Sequence, residues 1–241
     1  MEDRFFEETT VLNADDDGVF RVDLMPDGRT RIALMLSSTA HCDGAWVIGP
    51  RTQPSFKVAR DTRQAFVGTL KPGWAATLLD LPVSELTNRM VPLRQLWGCD
   101  ALKLTRERFF NSFTDVALSR RRTHAESSTA RLARAGARLL DTDLREVKHV
   151  AKRLGVTDRH LRRAFIANVG LAPKTFARVS RLQRALQRID ADDDLGRVAA
   201  ASGYFDHAHF STDFKALVGL TPSDFVRRTG DRTLQNTACP A

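Results

Sequence analysis

Cysteine is scarce. Cys42, Cys99 and Cys239 are the three thiols, far apart and without a CxxC pair, which argues against both a disulfide framework and a zinc ribbon. Long apolar runs are missing too: Ile32 to Leu36, the strongest candidate, falls far short of the ~20 residues that cross a bilayer, so no integral membrane protein is expected. The segment Met1 to Glu8 is acidic and lacks the basic start and apolar centre of a secretory signal, which suggests a cytoplasmic protein. Neither GxxxxGK nor GxGxxG occurs, so nothing supports a nucleotide-driven machine.

The 241 residues are 42% hydrophobic and 27% charged, an ordinary globular composition. That length suits two modest domains. The net charge of +8 is unevenly placed. Residues 1–110 carry 14 Lys and Arg against 15 Asp and Glu, net −1, leaving 23 against 14, net +9, for residues 111–241. A basic half behind a near-neutral half suggests a polyanion-binding module, with nucleic acid favoured over membrane because no basic helix shows an aromatic face. A solvated arginine-rich surface is the plain alternative.

The first half reads as short strands at Val19 to Leu24, Arg31 to Leu36, Ala45 to Ile48 and Ala65 to Leu70. Pro26-Asp27-Gly28, Asp43-Gly44, Gly49-Pro50 and Lys71-Pro72-Gly73 separate or close them. Short helical pieces are expected at Trp74 to Leu79 and after Pro82, and a longer helix over Leu102 to Leu118. Arg120-Arg121-Arg122 then opens an Ala/Arg/Leu-rich helical stretch. The expected division is 1–118, a linker at 119–130, a helical domain at 131–230 and a tail at 231–241.

The second half repeats itself, and the repeat decides the reading. Val150 to Gly155 recurs 48 residues later as Val198 to Gly203, while Leu161 to Phe165 and Gly170 to Pro173 recur at an offset of 49 as Phe210 to Phe214 and Gly219 to Pro222. One residue has been added in the second turn. Each copy reads as a helix, a glycine-containing turn, and a second helix closed by Gly and Pro: helix-turn-helix grammar, with Thr157 and Asp206 as N-caps. A helical run from Pro173 to about Ile189 joins them.

At 100° per residue, Leu161, Ala164, Phe165 and Asn168 share one side of the first reader helix, leaving Arg159, Arg162, Arg163 and Ile166 on the other. Guanidinium groups there suit guanine O6 and N7 or phosphate. In the second copy Phe210, Phe214 and Leu217 form the stripe and Ala208, Ser211, Thr212 and Lys215 face outward, a smaller and weaker reading surface. Thr157, Lys174 and His209 complete the set of candidate DNA-contacting residues. Arg178, Arg181, Arg184 and Arg188 on the joining helix are weaker candidates for phosphate, with solvation as the ordinary role.

Residues from about Arg131 to Arg228 resemble the DNA-binding domain of AraC/XylS-type transcriptional regulators. The resemblance rests on the paired units, on Arg178-Val-Ser-Arg-Leu-Gln-Arg-Ala, and on Ala208-His-Phe-Ser-Thr-Asp-Phe-Lys followed by Gly219-Leu-Thr-Pro222. Arg163 stands where the family commonly carries an arginine in its first reader; Thr212 replaces the equivalent residue in the second. Asp23 to Gly28, Gly49 to Thr52, Lys71 to Gly73, Leu81 to Thr87 and Val91-Pro-Leu resemble an uncharacterised N-terminal domain found ahead of some members, which implies sensing or dimerisation.

Other constellations carry less. His41-Cys42-Asp43 has nucleophile, base and orienter types, but adjacent strand residues point to alternate faces. His207 and His209 diverge by about 200° on a helix and make no metal pair. The run Asp190, Asp192, Asp193 and Asp194 lacks calcium-loop spacing. The expected architecture is therefore α+β, a small β-rich domain followed by an all-α domain with two helix-turn-helix units joined by a linker helix. The expected function is sequence-specific transcriptional regulation, with no catalytic residues, metal or cofactor. Double-stranded DNA is the expected partner; RNA polymerase, a small-molecule effector and a second copy of the chain are further candidates, and no membrane is. The alternatives are an enzyme tethered to DNA and a nonspecific nucleoid-type binder.

Overall fold

The computed structural model describes residues 4–37, 44–105, 107–120, 127–142, 146–189 and 194–230. The triplet His41-Cys42-Asp43, Arg121 and Arg122, the acidic residues Asp190, Asp192 and Asp193, and Cys239 with the tail from 231 lie outside the described residues.

Among the described residues seven strands open the chain: β1 (Phe6–Asn13), β2 (Phe20–Leu24), β3 (Thr30–Ser37), β4 (Gly44–Ile48), β5 (Ser55–Ala59), β6 (Thr62–Leu70) and β7 (Met90–Pro92). Five form an antiparallel sheet in the order β1-β6-β3-β4-β7, and β2 and β5 pair separately as a ribbon. Strand β3 is central and covered on both faces. Ile32 packs with Phe6, Val47 and Leu70 beneath the helices α1 (Ala75–Leu79), α2 (Leu93–Trp97) and α3 (Phe109–Arg120), while Ala33 packs with Phe20 and Leu24 of the ribbon. Burial on both sides explains why Ile32 to Leu36 reads as a continuous apolar run rather than an alternation.

The four expected strands are present. The other three escape pattern reading because β1 is a half-exposed edge strand carrying Glu7, Glu8, Thr9 and Thr10, β5 turns Phe56 and Val58 to solvent, and β7 has three residues. The helix expected over Leu102 to Leu118 is corrected. A 3-10 turn spans Gly98–Lys103, the backbone is extended at Leu104, and α3 starts only at Phe109. The intervening Thr105-Arg-Glu-Arg108 has no apolar side chain to bury, so no packing supports a helix through it.

The second half is helical: α4 (Ser128–Thr142), α5 (Val147–Arg153), α6 (Asp158–Val169), α7 (Pro173–Ile189), α8 (Leu195–Ala201), α9 (His207–Val218) and α10 (Pro222–Gly230). It has two cores, one around Leu140, Val150, Leu161, Phe165 and Phe176, the other around Val179, Leu182, Leu186, Phe210, Phe214 and Phe225. Helix α7 supplies residues to both, Phe176 to the first and Val179, Leu182 and Leu186 to the second. It is a spine shared by the two units rather than a spacer between them.

The two halves also meet. The turn between β2 and β3 lies against the spine: Met25 joins the second helical core, Gln183 Nε2 donates to the Pro26 carbonyl at 2.6 Å, and the Arg29 guanidinium sits 5.5 Å from the centre of the Phe176 ring. Arg29 also donates to Asp141 of α4 at 2.6 Å and to Glu7 of β1 at 2.9 Å. Burial works against its charge, and these two carboxylates more than offset that, so the guanidinium is held above its ordinary pKa. Nearby, Arg134 of α4 lies 4.0 Å from the Trp74 ring centre.

Candidate nucleic-acid interface

Each unit is closed at both ends by identifiable chemistry. Thr157 Oγ1 accepts from the His160 amide at 3.2 Å to start α6, and Asp206 accepts from the His209 amide at 2.7 Å to start α9. Gly170 and Gly219 end those helices at φ +85° and +86°, the left-handed conformation that suits glycine at this position. The turn before each reader is tied the same way, with the Val156 amide bonded to the Ala151 carbonyl and the Tyr204 amide to the Ala199 carbonyl, both at 3.1 Å. These equivalent bonds place the duplication at the level of backbone geometry.

On α6 the expected division of faces holds. Leu161, Ala164, Phe165 and Asn168 are buried, while Arg159, Arg162 and Arg163 are exposed together and Ile166 is half-buried at the margin. Asn168 is polar yet fits the core, because its Nδ2 donates to the Ala164 carbonyl at 2.8 Å. On α9, Phe210, Phe214 and Leu217 are buried; Ala208, His209, Thr212 and Lys215 are exposed, and Ser211 is half-buried. His209 packs edge-on to Tyr204, at 5.4 Å between ring centres. Thr157 is exposed at the start of α6. Lys174 is exposed on the first turn of α7 and lines a groove of about 480 Å³ with Glu146, Lys148 and Asp158.

The arginines of α7 make contacts within the fold. Arg178 forms an ion pair with Asp213 of α9 through its Nε, which ties the spine to that helix. Arg181 lies 5.3 Å from the Tyr204 ring centre, and Arg184 and Arg188 donate to the Ser180 and Arg184 carbonyls at 3.2 and 3.3 Å. Burial pushes the Arg184 pKa below its ordinary value, a pull that Asp141 opposes. Helix-wheel reasoning missed the Arg178 tie because its partner lies 35 residues away, on a helix whose angle to the spine the sequence does not encode.

The C-terminal end of α6 is gripped by the N-terminal half. Thr87 Oγ1 donates to the Gly170 carbonyl at 2.8 Å, and a Cβ on Gly170 would lie 2.7 Å from Pro50 Cγ and 3.0 Å from Val83 Cγ1 and the Val83 carbonyl. The arginine face stays open while the C-terminal end of α6 is seated on the strand domain. Among the described residues, no group of three or more His, Cys, Asp or Glu side chains converges as a metal site, and no helix is long and apolar enough to cross a membrane.

Two family models match the chain. One described as "Helix-turn-helix domain" covers residues 150–228, both units and the spine between them; one described as "Domain of unknown function (DUF6597)" covers residues 4–92. No curated protein matches. Among solved structures, the crystal structure of ToxT from Vibrio cholerae O395 is 12% identical, with a TM-score of 0.48 over 91% of this chain and 96% of that one. Wild-type ToxT from Vibrio cholerae strain SCE256, solved with an unsaturated fatty acid bound, is 13% identical, with a TM-score of 0.46 over 94% of this chain and 96% of that one. Residues 150–228 thus carry an AraC-type helix-turn-helix domain behind a domain of unknown function, which supports a DNA-binding transcriptional regulator.

Proposed function

We propose that the protein reads a specific duplex sequence with α6 and α9 placed in successive major-groove segments. The observation that carries this reading is the pairing of two equivalently capped units on one spine, each with an outward face exposed. At 17 residues the spine is about 25 Å long, a length suited to holding two readers near grooves ~34 Å apart along the same face of B-DNA. Arg159, Arg162 and Arg163 carry most of the base discrimination, with Ile166 at the margin. Ala208, Ser211, Thr212 and Lys215 form the weaker second face, and Thr157, Lys174 and His209 approach the backbone. No catalytic step is assigned.

The N-terminal domain, taken as residues 1–118 ahead of a linker at 119–130 and the reading domain at 131–230, controls how the readers are held. Its β2–β3 turn touches the spine, and its Val83 turn touches the end of α6. A cleft of about 670 Å³ between the halves, lined by Glu7, Lys71, Trp74, Arg134 and Arg138, supports a small-molecule effector acting there. A ligand binding it alters DNA affinity only by favouring one placement of the halves over another.

The test is selection of bound duplexes from a random library, then titration of the full-length protein on the winner. A site preference that weakens in Arg163→Ala, with affinity falling steeply as salt rises, is expected. Equal affinity for all sequences would instead indicate a nonspecific binder.

A further inference from the structure

Phe205 is 92% exposed, the most exposed of the large apolar side chains among the described residues. It is also the residue that one copy has and the other lacks. Backbone bonding aligns Tyr204 with Val156, each amide donating to the carbonyl five residues back. Side-chain capping aligns Asp206 with Thr157, each accepting from the amide three residues on. Between those two fixed points the first unit has nothing and the second has Phe205.

Folding does not explain the insertion. Tyr204 takes the core position, 5% exposed against Phe210 and Val198, and the first unit closes its turn with one residue fewer. A phenyl ring left in water gains nothing from the hydrophobic effect, whereas one beside a helix end that meets DNA can gain it against an external apolar surface. Its place suggests which. It directly precedes the N-cap of a reader helix, the end at which such helices meet base edges. Its amide donates to His209 Nδ1 at 3.4 Å, which ties the turn to the first turn of α9. The adjoining outward positions, Ala208, Ser211 and Thr212, are short and uncharged, where the first reader has Arg159, Arg162 and Arg163. Small side chains let that helix end approach DNA closely, and a projecting ring supplies the contact they lack.

We propose that Phe205 is a DNA-contacting residue of the second reader, its ring set against apolar surface in the groove, either a thymine C5-methyl or a deoxyribose. This rests on the two-reader function above. The second unit then recognises DNA chiefly by shape and apolar contact while the first uses guanidinium hydrogen bonds.

The test is titration of full-length protein and its Phe205→Ala variant on the selected duplex, with Arg163→Ala alongside. Phe205→Ala is expected to weaken binding about tenfold, as loss of a partly buried ring implies, with melting temperature and salt dependence unchanged because the ring is exposed and uncharged. Deoxyuridine in place of thymine in the second half-site separates the two apolar sources. A loss seen in wild type and absent in Phe205→Ala assigns the ring to a methyl, and no such loss assigns it to sugar. Unchanged affinity in Phe205→Ala while Arg163→Ala loses preference would overturn the proposal and leave the two-reader function standing. If that variant bound normally but failed to activate transcription with RNA polymerase, the ring would belong to a protein contact and the proposal would fall. Absence of any site preference in wild type would instead remove the two-reader function itself, and this proposal with it.

Discussion

The duplication contains its own control for the contact between the two halves. Gly170 and Gly219 end equivalent helices with nearly the same left-handed backbone, φ +85° and +86°. Alanine at either position meets the same local penalty, about 1–2 kcal/mol for an L side chain in that region. Their surroundings differ. A Cβ on Gly219 meets nothing within 4 Å, whereas one on Gly170 lies 2.7 Å from Pro50 Cγ and 3.0 Å from Val83 Cγ1 and the Val83 carbonyl. Carbon atoms prefer separations of about 3.5–4 Å, and neither a proline ring nor a backbone carbonyl can swing aside. The strand domain must therefore back away from α6, an overpacking cost of roughly 1–3 kcal/mol. Gly219→Ala should lose about 1–2 kcal/mol and Gly170→Ala about 2–5 kcal/mol. Urea unfolding of each full-length variant, followed by far-UV ellipticity, reads the difference. For a chain of this size each kcal/mol also lowers the melting temperature by ~2–4 °C. Equal losses at the two positions would refute the claim that the N-terminal half is packed against the end of the first reader.

Three further outcomes are expected. Arg29→Met removes the cation shared by Asp141 and Glu7; since both carboxylates are partly exposed, the loss should be modest, about 1–3 kcal/mol in the same unfolding assay, and a variant as stable as wild type would show the pair to be inert. Arg163→Ala should relax base preference by roughly 1–3 kcal/mol on the selected duplex and Thr212→Ala by less, an order that competition titrations would reverse if the second reader dominated. The Asp194 carboxylate, which caps α8, is held below the usual carboxylate range by the amides of Arg197 and Gly196. Its folded pKa being the lower one, its contribution is complete above the unfolded value and is lost as pH falls through the folded value. The stability gap between wild type and Asp194→Ala should thus persist at neutral pH and close in strong acid; a gap independent of pH would contradict this.

The grip on α6 bears on how such a regulator could be controlled. Arg29 and Thr87 both anchor the strand domain to the first unit, through Asp141 and the Gly170 carbonyl, while Met25 reaches the core of the second through the spine. The strand domain thus contacts both helical cores at points away from the exposed Arg159, Arg162 and Arg163.

The sequence by itself determined the repeat, the caps at Thr157 and Asp206, the glycine stops and the buried and exposed faces of α6 and α9. All of these follow from local rules: a helix period of 3.6, side-chain acceptors at helix starts, and the conformational freedom of glycine. It also located the four strands whose apolar runs are strong, and the one-residue insertion whose product is Phe205. Tertiary structure alone decided the rest. Strands β1, β5 and β7 carry too little apolar pattern to declare themselves and exist because β6, β2 and β4 offer hydrogen-bonding edges. Arg178 became a tie to Asp213, and Pro26-Asp27-Gly28, legible only as a turn, became the point where the strand domain meets the spine. Such pairings join residues 35 and 157 positions apart. Which distant surfaces meet depends on the packing of whole elements, which no local period or capping preference encodes.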